Sequence, residues 1–314
     1  MRFLILGAGG IGCYYGARLQ QAGHQVVYVA RGEHLRAMQQ QGLKVEHESF
    51  RFEAPVTAVD EAALLADYSV TDFDLLLVCF KSQDTAAWLD RCRDWLLAGA
   101  TPLLSLQNGV DNEPELEAVV GTSRTLGGIA LRIGGHIEAP GVITASGPAQ
   151  IIFGAWPDQT SGQVPTDQLQ AFDQAFQQAG IPSRISDRIA VELWRKLMLN
   201  NAVNPLSALT RLDTQTLSTH PLFGASVYQL MQETAAIAAA EGLPIGQQDV
   251  EEMYQLICNF DGIKTSMLVD LEKGRPLELD GISGTLLKRG KRLAINTPMT
   301  ALVYGLLSQQ QECH

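Results

Sequence analysis

The sequence predicts an α/β fold in which a doubly wound sheet is followed by an all-α C-terminal domain. Three observations carry that expectation. In the first half, short and almost continuously apolar runs alternate with helix-length segments of mixed polarity, as in βαβ units built around a parallel sheet buried on both faces. The first of these runs leads directly into Gly7-Ala8-Gly9-Gly10-Ile11-Gly12, a G-x-G-x-x-G turn that opens a helix. After Asp187 nearly every segment has the length and pattern of a helix.

The strands are expected at 3–6, 26–30, 75–80 and 102–106, and the intervening helices at 11–21, 33–41 and 85–97. From 125 to 154 the pattern becomes short β-rich pieces broken by Gly134-Gly135, Pro140-Gly141 and Gly147-Pro148. These are expected as antiparallel strands extending the same sheet. A loop at 156–165 precedes a helix at 166–179, which Gly180 caps and Pro182 keeps from continuing. Further helices are expected at 188–202, 221–241, 248–260, 264–274, 281–292 and 298–310, with breaks at Pro205, Gly242-Leu243-Pro244 and Asn296-Thr297-Pro298. The chain therefore divides into a Rossmann-type domain at 1–186, whose glycine turn makes it the candidate nucleotide-binding domain, and an all-helical domain at 187–314.

Composition narrows the function. With 23 Lys and Arg against 34 Asp and Glu, the 314 residues carry a formal charge of -11. That disfavours nucleic acid as the main partner, because such binders need a basic face, but leaves room for small anionic ligands that respond to local charge. The five cysteines (Cys13, Cys79, Cys92, Cys258 and Cys313) form no CxxC pair and have no clustered His. No disulfide framework or metal site is expected, and a reducing cytoplasm is the default compartment. The apolar run after Arg2 stops at Gly7, too soon for a secretory signal, and no stretch approaches the ~18 apolar residues of a membrane span.

The glycine turn has a physical reading residue by residue. Gly7 makes the tight turn, Gly9 lets the backbone approach a pyrophosphate, and Gly12 lets the helix pack against the strand. The free N–H groups of the helix N-terminus then face the phosphates. A glycine turn that binds nothing is the bland alternative. At the end of the second strand, where NAD enzymes place a carboxylate, the sequence reads Tyr28-Val29-Ala30-Arg31-Gly32. A guanidinium suits a 2′-phosphate, which favours NADPH/NADP+ over NAD; a solvated surface Arg is the other reading.

Lys196 lies in a segment where Glu192, Lys196, Asn200 and Asn204 recur every four residues. On a helix these form one stripe, and Asn has poor helix propensity, so helix stability does not explain them. A solvated face with a Glu192–Lys196 pair remains the alternative reading.

The ordered combination of Gly7–Gly12, Arg31, Phe80-Lys81-Ser82, Gln107-Asn108-Gly109, Trp194 through Asn204-Pro205-Leu206, Thr265-Ser266-Met267-Leu268-Val269-Asp270, Glu278-Leu279-Asp280, Gly284 and Pro298 resembles the ketopantoate reductases (2-dehydropantoate 2-reductases) over nearly the whole chain. The resemblance implies NADPH-dependent reduction of a 2-keto acid, 2-dehydropantoate, to pantoate on the route to pantothenate. Lys196 is implied as the general acid, with Glu278 beside it as a second catalytic and cofactor-contacting residue. Asn200, Asn204 and Ser266 are implied to bind substrate. Asn108 is implied near both nicotinamide and substrate, and Lys81 near the cofactor with Gly7, Ala8, Gly9, Gly10, Ile11, Gly12 and Arg31. A surface ion pair of Glu278 with Arg275 is the bland reading of that carboxylate.

The sequence departs from the family where Asp213 or Thr214 stands at a polar substrate-binding position, and where Ala294 replaces a frequent Gly. A related NADP-dependent reductase of another 2-keto acid, or a non-catalytic NADP(H)-sensing protein, are the competing functions. The expected partner is a small-molecule 2-keto acid, with no nucleic acid and no membrane, and a monomer or homodimer as the assembly. Arg31→Ala is predicted to weaken NADPH binding more than NADH binding, by about 1.5–3 kcal/mol, the scale of a hydrogen bond to a charged group. Equal losses in titrations of the two cofactors exclude a 2′-phosphate contact.

Overall fold

The computed structural model describes residues 1–158, 163–259 and 262–312. Part of the expected 156–165 loop, the last residue of the expected 248–260 helix and Cys313 lie outside the described residues. The chain forms two compact units. Met1–Gln107 and Asn112–Ile189 make the first, and Asn108–Asp111 joins the residues from Ala190 onward in the second.

In the first unit the chain runs through β1 (Arg2–Leu6), α1 (Gly10–Gln21), β2 (Gln25–Val29), α2 (Gly32–Gln41), β3 (Leu43–His47), β4 (Phe50–Ala54), β5 (Thr57–Val59), α3 (Glu61–Asp67), β6 (Leu75–Val78), α4 (Thr85–Leu97), β7 (Leu103–Ser105) and α5 (Asn112–Val120). It continues with β8 (Thr125–Leu131), β9 (Gly134–Ala139), β10 (Val142–Ser146), β11 (Gln150–Ala155), α6 (Thr166–Gln178) and β12 (Ser183–Ile185). The main sheet has eight strands in the order β12-β11-β8-β7-β6-β1-β2-β5. From β5 to β8 every neighbouring pair is parallel, and β11 then runs antiparallel to β8. This is the Rossmann-type arrangement that the alternating pattern predicts.

Burial follows from the two-residue period of a strand. Phe3 and Ile5 of β1 join one core with α1 and α6, whereas Leu4 and Leu6 join the other with α3, α4 and α5. Both faces being covered, the strands read as unbroken apolar runs.

The 125–154 region departs from expectation. β8 and β11 do extend the main sheet, but β9 and β10 leave it and form a second sheet with β3 and β4, in the order β4-β3-β10-β9. The reason is visible in β10, where Ile143 and Ala145 are buried while Thr144 and Ser146 are exposed. A strand with one apolar face suits a sheet covered on one side. That face lies on α1, which is packed between the two sheets and buries Gly12 through Ala17 together with Leu19.

The second unit contains α7 (Ile189–Thr210), α8 (Thr214–Thr219), α9 (Phe223–Ala240), α10 (Gln247–Cys258), α11 (Ser266–Glu272), a π-helical turn at Asp280–Gly284, α12 (Thr285–Leu293) and α13 (Pro298–Glu312). The expected break at Pro205 does not occur; α7 runs through it for 22 residues. A proline inside a helix removes one backbone hydrogen bond and costs roughly 3 kcal/mol. Here the helix is held from outside, because positions 201–208 are all buried. Burial against neighbouring helices overrides the local preference.

Among the described residues no helix is long and apolar enough to cross a membrane. None of them forms a group of three or more His, Cys, Asp or Glu able to hold a metal ion.

Ala294 ends α12 in the left-handed conformation, with φ 57° and ψ 35°, and the Ile295 N–H closes the turn onto the Gly290 carbonyl at 2.8 Å. Glycine adopts this conformation without the Cβ penalty. Ala294→Gly is therefore predicted to stabilise the fold by about 1 kcal/mol, read as a higher Tm in thermal unfolding; an unchanged or lower Tm contradicts the assignment of strain to this residue.

Candidate active site

The first unit brings the candidate nucleotide-binding residues to one edge of its sheet. Leu6 ends β1 between Val29 of β2 and Val78 of β6, so the residues that follow these three strands emerge together at the carboxyl edge of the sheet. That edge is where open α/β sheets bind ligands. The residues are the Gly7–Gly12 turn, Arg31 and Lys81.

The turn is built by close backbone approach. Gly7 has φ +100°, and a Cβ there would stand 2.5 Å from the Phe80 nitrogen. A Cβ on Gly12 would stand 2.3 Å from the Gly7 carbonyl oxygen, and one on Gly10 would stand 2.1 Å from the Gly135 carbonyl carbon of β9. Gly9 differs: a Cβ there would meet nothing within 4 Å. Packing does not account for that glycine, whereas a ligand seated against the backbone does. Ala8 is buried and Ile11 half-buried. The first turn of α1 leaves its N–H groups without helical partners, and a pyrophosphate fits them.

Arg31 is exposed and precedes the first residue of α2 in extended conformation, with φ -141°. Lys81 is half-buried at the start of a short 3₁₀ turn. Beside it lies a buried polar side chain, Gln107. Gln107 donates through Nε2 to the Phe80 carbonyl (3.0 Å) and to Thr85 Oγ1 (2.9 Å), and Thr85 in turn donates to Asn112 Oδ1 (3.3 Å). Gln107 thus ties the strand end that carries Lys81 to the chain entering Asn108. Its signal in the sequence was a polar residue directly after the buried run 102–106.

Burial pushes the Cys79 thiol up to about 12 and the Cys13 thiol higher still. Neither supplies a thiolate near neutral pH, which removes thiol chemistry from this edge.

The other candidate residues lie in the second unit. Lys196, Asn200 and Asn204 stand four residues apart on α7; Lys196 and Asn200 are half-buried and Asn204 is buried. Leu193, Trp194, Leu197 and Met198 pack the helix into the core. Arg195 is engaged elsewhere, with Asp249 at 2.9 Å and Glu252 at 2.7 Å.

Glu278 is held between the buried Leu277 and Leu279. Its Oε2 accepts a hydrogen bond from Asn108 Nδ2 at 3.0 Å, across 170 residues of sequence. The surface pairing of Glu278 with Arg275 does not form, since Arg275 faces Asp270 at 3.8 Å. Ser266 is exposed as the first residue of α11, directly after Thr265, whose hydroxyl caps that helix through the Leu268 N–H. Asp213 caps α8 through the Thr216 N–H at 2.7 Å, and the buried Thr214 exchanges hydrogen bonds with the Ile263 backbone. These last two residues have architectural tasks.

Comparison with known proteins follows the same division. Residues 3–158 match the family profile described as ketopantoate reductase PanE/ApbA, and residues 188–311 match its C-terminal counterpart. The chain belongs to the ketopantoate reductase family. Among ketopantoate reductase relatives, a 2-dehydropantoate 2-reductase of Pyrococcus abyssi is 26% identical over 314 residues, covering 99% of this chain and 98% of that protein. Crystal structures titled 2-dehydropantoate 2-reductase resemble it throughout. That from Methylococcus capsulatus is 31% identical with a TM-score of 0.83, covering 99% of this chain and 97% of the other. That from Geobacter metallireducens is 30% identical with a TM-score of 0.85, covering 99% and 100%. As a ketopantoate reductase family member the chain is an oxidoreductase, and the family uses NADPH, the cofactor expected from the sequence.

The contrast among the glycines generates a prediction. Gly9→Ala leaves Tm unchanged and weakens NADPH about tenfold or more, because the added methyl occupies the space where backbone and pyrophosphate meet. Gly12→Ala instead lowers Tm. Cofactor titration and thermal unfolding of both variants check this, and a Gly9→Ala protein with normal NADPH affinity contradicts it.

Proposed function

We propose that the protein reduces 2-dehydropantoate to pantoate with NADPH, a step of pantothenate biosynthesis. The observation that carries the reading is the Asn108–Glu278 hydrogen bond at 3.0 Å. It joins two distant residues for which the family resemblance supplies a task and the bare sequence none.

Backbone N–H groups of the turn formed by Gly7, Ala8, Gly9, Gly10, Ile11 and Gly12 hold the pyrophosphate in this reading, and Arg31 forks onto the 2′-phosphate. Lys81 adds positive charge at the same edge. NADPH, when bound, supplies the hydride that adds to the ketone carbon. Addition places negative charge on the ketone oxygen, and the Lys196 ammonium both stabilises that charge and donates the proton that completes the alcohol. Glu278 holds the ammonium, and Asn108 fixes one Glu278 oxygen so that the other is free for this purpose. Asn200, Asn204 and Ser266 offer hydrogen bonds to the carboxylate and hydroxyl oxygens of the substrate. In a protein of charge -11, the phosphates of the cofactor account for Arg31 and Lys81 at the sheet edge of the first unit, and the developing charge on the substrate accounts for Lys196 on α7 of the second. The thiols of Cys13 and Cys92, buried and unbridged, suit a cytoplasmic enzyme.

The test is NADPH oxidation with a panel of 2-keto acids. A strong preference for 2-dehydropantoate supports the reading; another preferred acid reassigns the substrate, and NADPH binding without turnover leaves a nucleotide-sensing protein. Lys196→Ala is predicted to lower kcat by roughly 10²–10⁴-fold, the scale of general acid catalysis, with NADPH affinity retained. A near-normal kcat removes Lys196 from the role of acid.

A further inference from the structure

Next to the Lys196 stripe, α7 carries a polar side chain that faces inward. Asn201 is fully buried, as are Thr234, Ser283 and Thr300, and Glu233 is 4% exposed. These five groups form a closed hydrogen-bond network. Asn201 Nδ2 donates to Thr234 Oγ1 and to Thr300 Oγ1, each at 3.2 Å, and Asn201 Oδ1 accepts from Ser283 Oγ at 2.8 Å.

The proton positions are fixed by what lies beyond. Thr300 Oγ1 donates to Glu233 Oε2 at 2.7 Å, and Thr234 Oγ1 donates to the Leu230 carbonyl at 3.0 Å. Both hydroxyls have spent their hydrogens and can only accept from Asn201. The amide of Asn201 therefore has one permitted orientation, with its oxygen toward Ser283. Glu233 is in turn anchored by the Met299 and Thr300 N–H groups at 2.9 Å each, at the start of α13.

Ser283 sits in the π-helical turn Asp280–Gly284, which begins two residues after Glu278. The wider turn interrupts regular helix geometry, as such turns do at functional sites. On the other side of the bond, Pro205 cannot donate to the Asn201 carbonyl, so the ladder of α7 is broken at this residue. Apolar packing is non-directional and tolerates sliding, whereas a saturated buried network does not.

We propose that Asn201 and Ser283 are positioning residues, whose hydrogen bond sets the register of the Lys196–Asn200–Asn204 face of α7 against the segment bearing Glu278. This rests on the reductase reading given above. A displacement near 1 Å costs on the order of 10²-fold in rate, so Ser283→Ala is expected to lower kcat for 2-keto acid reduction by about 10- to 100-fold. KM changes less than kcat, and the NADPH dissociation constant stays at the wild-type value. Ser283→Thr, which keeps the hydroxyl, recovers most of the rate.

The experiment measures kcat, KM, NADPH affinity and Tm for wild type and both variants, at a temperature where all are folded. Amide hydrogen exchange over 277–284 is followed in parallel, and faster exchange there in Ser283→Ala is the expected result. A Ser283→Ala protein with wild-type kcat and wild-type exchange, differing only in Tm, overturns the proposal while leaving the reductase intact. A wild type without turnover overturns the reductase reading instead, and the exchange result then decides by itself whether the bond fixes the segment.

Discussion

At the β1–α1 turn, main chain passes main chain with no room for a side chain. Gly7 lies against the nitrogen of Phe80, Gly12 lies against the carbonyl of Gly7, and Gly10 lies against the backbone of β9. These three approaches bring the N-terminus of α1 to the carboxyl edge of the sheet, between the strand ends that carry Arg31 and Lys81. They also press α1 between two sheets, where its apolar positions are consumed on nearly every side. The placement of the α1 N-terminus at the sheet edge and the packing of the unit therefore have one cause.

The helical unit solves a different problem. Its principal helix must present polar groups on one stripe and still be anchored firmly enough to place them. α7 does so with apolar residues Leu193, Leu197 and Met198 and with an inward Asn201, while a proline weakens its own ladder. Continuity of this helix comes from its surroundings rather than from its propensity. The segment of Glu278 is secured similarly: buried leucines flank the carboxylate, and Asn108 holds one of its oxygens.

Local features were legible in the sequence, and non-local ones were not. The glycine turn and the four-residue spacing of Lys196, Asn200 and Asn204 each lie within a dozen or so positions, so periodicity exposes them. The doubly wound sheet was equally legible because each buried strand is a continuous apolar run. Pro205 misled, since the burial that carries α7 through it depends on helices far along the chain. The strands at 134–146 read as β, but their sheet is not legible, because their partners β3 and β4 are amphipathic and give no continuous apolar run. Asn108 and Glu278 could be linked only through family resemblance, because no spacing argument reaches across 170 residues.

The second sheet has a consequence for how the chain reaches its native state. Its central pairing matches Val142 of β10 with Lys44 of β3, so nearly a hundred residues separate the partners. The cost of closing such a loop comes before any contact across it is gained. The β3–β4 hairpin takes its neighbour in the sheet, and α1 part of its cover, from the 134–146 strands. The Gly7–Gly12 turn shares that dependence, because Gly10 has its close neighbour in Gly135 of β9. The first unit is therefore complete only when strands separated by nearly a hundred residues have paired, a topology of the kind that folds slowly.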